Sequence, residues 1–290
     1  MRDLTLGLPP LVLVAAGAGA ALELPGVFPV QAVALYLGAA LLILFGVPDG
    51  LRGPGLGIAN RVTLGRLLLV LPLAALALQP EVASETTRWW VVGMGAVALA
   101  LDGVDGWVAR RTGTGSAFGA RFDMETDAFL ILVLSVLAWR AGPVGPWILW
   151  IGALRYLFVA AGTVWPALRR ELPPSLRRKT VCVVQGIALL VCVGPVVPPP
   201  LAVAVGAGAL AALAGSFAVD VLWALGEHPT PGGDTPAPAP SLPGAGSPLR
   251  PGPEPSAALP GDGPVLGYRV RTRIRPSWAT EATTSPSRLK

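Results

Sequence analysis

The sequence predicts an all-α fold: a polytopic membrane helical bundle with a six-helix core and an N-terminal helical hairpin. Three observations carry this. Of 290 residues 53% are hydrophobic and only 13% charged, with a mean hydropathy of +0.62. Apolar segments follow one another at close to the roughly 20 residues that a helix needs to cross a ~30 Å hydrocarbon core. Basic residues gather in alternate loops. Two cysteines, Cys182 and Cys192, fall within one predicted helix, so neither a disulfide framework nor a zinc site is suggested. No nucleic-acid partner is expected. The abundance of Gly and Pro and the excess of Arg over Lys fit a GC-rich genome, and a bacterial plasma membrane is the expected location.

In chain order, residues 9–22 and 27–47 read as two hydrophobic helices joined by a tight turn at Glu23, Pro25 and Gly26. The first has the length of a signal-peptide core. The second follows at once, with no convincing cleavage site between them, so a membrane hairpin is expected. Segment 48–57, with Asp49, Arg52 and several glycines, reads as a surface linker and completes a first domain over 1–57. Six further spans near 59–78, 88–110, 121–140, 145–165, 180–197 and 201–225 make a core domain over 58–226. Arg52, Arg61, Arg66, Arg110, Arg111, Arg121, Arg169, Arg170, Arg177, Arg178 and Lys179 fall on one side, which the positive-inside rule makes cytoplasmic. The opposite loops hold Glu81, Glu85, Arg88, Arg140 and the Pro198-Pro199-Pro200 turn. Eight spans then leave both termini in the cytoplasm. Residues 227–290, rich in Pro, Gly, Ser, Thr and Ala, read as a disordered cytoplasmic tail. Its alternating basic stretch 268–275 either stays solvated or lies on anionic lipid, worth about 1 kcal/mol per basic residue.

Four carboxylates interrupt this apolar pattern. Asp102, Asp105, Gly106 and Ala109 stand at i, i+3, i+4 and i+7, placing two acids and two small residues on one helix face. Across a short Gly/Ser/Thr-rich turn, Gly119, Asp123 and Asp127 repeat at i, i+4 and i+8. Antiparallel pairing of the two helices would gather all four acids. Each acid in a membrane span costs roughly 2.5–3.5 kcal/mol, so a cation must bind among them. An oxygen-only ligand set favours a hard divalent ion, Mg2+ or Mn2+, over Zn2+. The small residues leave room for a phosphate, and Arg110 adds a bidentate phosphate donor. Together they describe a site for a diphosphate and metal.

The pattern Asp102-x-x-Asp105-Gly106-x-x-Ala109-Arg110, eight residues, Gly119-x-x-x-Asp123-x-x-x-Asp127 resembles, at every fixed position, the signature of the CDP-alcohol phosphatidyltransferases. The resemblance covers about residues 58 to 226. Asn60-x-x-Thr63-x-x-Arg66 is similar to the opening of that family's first core helix, although Ala59 stands where a proline is common. The resemblance implies attack of an alcohol hydroxyl on the phosphorus of a CDP-linked lipid such as CDP-diacylglycerol, with release of CMP. It implies two metal ions on Asp102, Asp105, Asp123 and Asp127, with Asp127 also as general base. Asn60, Thr63, Arg66, Gly106, Ala109, Arg110, Ser116 and Gly119 would line the nucleotide and its phosphates. A homodimer is one option, since relatives with this core often form dimers.

The acceptor pocket is less legible. Arg155 lies inside the span 145–165 with no acid in that span, so a phosphate on the acceptor would supply its partner. Arg178 and Lys179 could complete such a pocket or anchor a helix at the interface, and Gln185 would face inward. Ala128 follows the last acid, where phosphatidylglycerophosphate synthases commonly carry Lys, so the acceptor stays open among polyol phosphates, serine and a CDP-aminoalcohol scheme. A cation transporter would not call for the Gly-x-x-Ala-Arg face. An intramembrane prenyltransferase would use two separated Asp clusters, and a catalytically silent lipid-binding relative would be expected to lose a metal-ligand position.

Overall fold

The computed structural model describes residues 2–46, 56–112, 116–165 and 176–226; for residues 59, 105–110, 112, 117, 176 and 179 only the helical backbone is described. Among these residues there are eight α-helices and no strand. They are α1 (Arg2–Ala21), α2 (Val27–Gly46), α3 (Ile58–Leu76), α4 (Glu85–Thr112), α5 (Ala117–Arg140), α6 (Leu149–Val164), α7 (Leu176–Val193) and α8 (Pro199–Leu225), with 3-10 turns at Pro80–Ala83 and Pro146–Ile148. The all-helical bundle expected from the sequence is the observed fold. The largest shift is at α1, which starts at Arg2 and carries Pro9 and Pro10 internally. Most of the expected linker, the loop with Arg169 and Arg170, and the tail 227–290 lie outside the described residues.

Helices α3, α4, α5 and α7 form the centre. α3 packs on both α4 and α5, and α7 packs on the same two, whereas α4 and α5 share few contacts with each other. The expected tight pairing of α4 with α5 is therefore replaced by an arrangement with α3 and α7 between them. The remaining helices are peripheral: α1 and α2 pack on α3, α6 on α5, and α8 mainly on α7. Among the described residues, the segments long and apolar enough to cross a membrane are α1, α2, Pro146–Val164 and α8, all peripheral. Lipid faces such helices, so leucines and phenylalanines such as Leu13, Leu42, Phe45 and Leu222 stay exposed. The central helices look mostly at one another and can hold polar residues that lipid would penalise. Glycines set some of the closest approaches: a Cβ on Gly152 would lie 2.5 Å from the Leu132 Cα, and one on Gly186 2.6 Å from Leu99 Cδ2.

Consecutive helices alternate in direction, so the starts of α3, α5 and α7 and the ends of α4, α6 and α8 share one end of the bundle. At the opposite end arginines meet backbone. Arg88 donates from Nε to the Val193 carbonyl at 2.7 Å and from Nη2 to Gly194 at 2.9 Å, and Arg140 Nη1 donates to the Ala77 carbonyl at 2.5 Å. These carbonyls belong to helix C-termini, which have no intrahelical donors left and carry the negative end of the dipole.

Candidate active site

The site begins with a polar row on α3. Chain entry uses Gly57 at φ +86°, ψ 160°, a conformation that a Cβ disfavours. Asn60, Thr63 and Arg66 follow at three-residue intervals, 8%, 3% and 0% exposed. Asn60 Nδ2 donates to the Leu56 carbonyl at 2.8 Å. Its Oδ1 lies where Gly119 has no side chain: a Cβ there would stand 2.5 Å from it. Gly119 thus lets α5 close on α3.

Arg66 is the centre of the cluster. Its Nη1 donates to Asp102 Oδ1 at 2.9 Å and to Asp123 Oδ1 at 2.8 Å, and its Nη2 donates to Asp127 Oδ1. Expected to line the nucleotide and its phosphates, it lies among the carboxylates. The spacing on α3 explains this, since a residue two turns into a helix wedged between α4 and α5 reaches the acids of both. One oxygen from each of Asp102, Asp123 and Asp127 lies within 4.8 Å of the others. The three acids keep 30%, 37% and 25% exposure, so an ion can reach them. All-carboxylate donors with that spacing fit a hard divalent cation. Asp105, Gly106, Ala109 and Arg110 lie on α4, with side chains outside the described residues.

Ser116 is the N-cap of α5: its Oγ accepts from the Gly119 N–H at 2.9 Å. The sequence expectation of a phosphate ligand at Ser116 meets a residue already engaged in satisfying an orphan helix donor. Arg155 also differs from expectation. The acid missing from its own helix comes from α5, where Glu125 accepts from its Nη2 at 2.5 Å. Glu125 lies two residues from both Asp123 and Asp127, so the helical turn points it to another face of α5. Arg178 lies 3.6 Å from Asp220 of α8. Arg177, not singled out from the sequence, binds the same Asp220 oxygen at 2.5 Å and also donates to the Ser216 carbonyl and hydroxyl. The Lys179 side chain lies outside the described residues. Gln185 finds its partner in the Ala209 carbonyl at 2.9 Å.

Sequence reasoning missed Asp220, Glu125 and Arg177 as partners. Asp220 carried a usable signal, a lone acid in a long apolar helix, which by itself calls for a counter-charge. Glu125 carried none, because it sits among acids of a recognisable motif.

No curated protein and no solved structure matches the chain. The family model for CDP-alcohol phosphatidyltransferase matches residues 56–218, a stretch that begins beside Gly57, contains Arg66 and the acids it binds, and ends before Asp220. The chain belongs to the CDP-alcohol phosphatidyltransferase family, and with it to the reaction class in which a phosphate-linked group passes from a CDP-alcohol to an alcohol.

Proposed function

We propose that the protein transfers a phosphatidyl group from CDP-diacylglycerol to a small polar, phosphorylated alcohol in a Mg2+-dependent reaction of phospholipid biosynthesis, with the acid cluster on the cytoplasmic side of the membrane. The observation that carries this reading is the convergence of Asp102, Asp123 and Asp127 from two helices in a chain of this family. Asp105, one turn from Asp102 in the sequence, would complete the donor set, and Mn2+ would suit the same oxygens. Two bound ions would neutralise the diphosphate and the charge that develops on departing CMP. The chain's own residues supply the rest. The acceptor oxygen forms a bond to the lipid-linked phosphorus, the bond from that phosphorus to the CMP oxygen breaks, and the hydroxyl proton passes to the Asp127 carboxylate. Asn60 and Thr63 on α3, with Gly106, Ala109 and Arg110 on α4 and Gly119 on α5, form the nucleotide side. Arg155, Arg178 and Lys179 form the acceptor side.

A second reading has its own observation. Arg155 is paired with Glu125, and Arg177 and Arg178 share Asp220. Basic residues with acidic partners hold an extra phosphate less strongly, which favours an unphosphorylated acceptor or a CDP-aminoalcohol acting on diacylglycerol. Incubating the purified protein with Mg2+ and CDP-diacylglycerol, against glycerol 3-phosphate, inositol phosphate, inositol and serine, separates the two. CMP release with a phosphorylated alcohol supports the first reading; release only with unphosphorylated alcohols supports the second acceptor class. The aminoalcohol scheme gives CMP only from CDP-choline or CDP-ethanolamine with diacylglycerol. CMP release from none of these overturns both.

A further inference from the structure

The helices α1 and α2 precede the family match, which begins at residue 56, yet α1 is wired into the first residues of that match. Asp3, 7% exposed, accepts the Leu56 N–H on Oδ2 at 2.5 Å, and its Oδ1 pairs with Arg61 Nε at 3.0 Å. Leu56 therefore has both backbone groups engaged: its N–H by Asp3, and its carbonyl by Asn60 Nδ2 at 2.8 Å. The peptide between these contacts and α3 passes through Gly57, the residue with positive φ. A glycine hinge offers many conformations, and α3 has no side-chain cap to select one. The Asp3 carboxylate supplies that selection. From Asn60 the contacts continue to α5, because Asn60 Oδ1 rests over Gly119 beside the Ser116 cap, one turn before Asp123.

We propose that Asp3 is a positioning residue for the nucleotide end of the site: through Leu56 it fixes Asn60, and the N-terminal hairpin is thereby a working part of the transferase. The proposal rests on the reading that Asn60 lines the nucleotide. A charged acceptor bonded to a buried backbone N–H is a strong contact, and its loss would free the Gly57 hinge. The effect belongs to nucleotide affinity, whereas a general loss of packing would change the amount of folded protein.

The test is CMP binding by calorimetry to the full-length protein in detergent with Mg2+, together with the KM for CDP-diacylglycerol and kcat. Wild type must bind CMP; if it does not, the nucleotide reading itself fails, independently of Asp3. With wild-type binding in place, Asp3→Ala should weaken CMP affinity about tenfold and raise the KM for the CDP-lipid by a similar factor, with kcat within about threefold. Asp3→Asn, which keeps an oxygen acceptor for the Leu56 N–H, should stay within about threefold of wild type. Arg61→Gln should leave CMP affinity unchanged, because it removes only the other partner of Asp3. If the alanine variant cannot be purified folded, Asp3→Leu, similar in size and without an acceptor, takes its place with the same tenfold expectation. Unchanged CMP affinity in the acceptor-free variant overturns the proposal. So does an Asn variant as weak as the Ala variant, or an Arg61→Gln effect of equal size, since either would route the effect through charge on Arg61.

Discussion

Arg66 at one end of the helical bundle and Arg88 and Arg140 at the other bind partners of opposite kinds. At one end Arg66 is wholly buried and surrounded by the carboxylates of Asp102, Asp123 and Asp127. At the other, Arg88 and Arg140 bind backbone carbonyls at the termini of α7 and α3. A carbonyl has no net charge and no competing cation of comparable strength, so the far-end arginines act as fixed caps. Carboxylates are different. They accept a guanidinium or a divalent ion. The far-end arginines close helix termini, while the near-end acids offer oxygens that a divalent ion could share with Arg66.

The largest effect should come from removing an acid. Asp102→Asn or Asp123→Asn is expected to lower turnover at least roughly 10³-fold, because each removes charge that the metal ions require. CMP release measured at equal protein level checks this, and near-normal turnover would undo the metal assignment. Arg66→Ala should come next. Stripped of its counter-charge, the cluster should destabilise the protein by about 3 kcal/mol in a chelator, and Mg2+ should recover more stability in the variant than in wild type. Unfolding in detergent with EDTA or Mg2+ reads both; an equal Mg2+ effect in the two proteins would break the contrast between the ends.

Gly119→Ala is expected to cost about 2 kcal/mol and to lower CMP affinity, since the new methyl would displace Asn60 from its bond to Leu56. Unaltered CMP binding would show that α3 and α5 need not meet so closely. The smallest effect belongs to the far end. Arg88→Ala or Arg140→Ala should cost about 1.5 kcal/mol, the lower range for a hydrogen bond from a charged group, with KM and kcat unchanged. A change in kinetic constants there would mean that the caps reach the site.

Much of the fold was legible in the sequence because lipid imposes a simple rule. A helix facing hydrocarbon must be apolar for about 20 residues, and segments such as 27–47 and 201–225 announce themselves. The near-end acids were legible for the complementary reason: a charge inside an apolar segment is costly enough to demand a purpose. Partner choice was not legible. Arg155 reads as an arginine without an acid until α5 turns Glu125 toward it, and Arg66 reads as one more polar residue of α3 until two other helices bring their carboxylates to it.

The sequence by itself determined the helical class and the helical segments, since each depends on composition and periodicity along one stretch of chain, and its acid motif carried the resemblance that the family match bears out. Tertiary structure alone decided that α3 and α7 lie between α4 and α5, that Arg66 of α3 sits among the acids of both, and that Asp3 reaches Leu56. Those facts depend on which helices are neighbours and how each is rotated about its axis. Helix periodicity specifies which residues share a face, but only packing against other helices selects what that face meets.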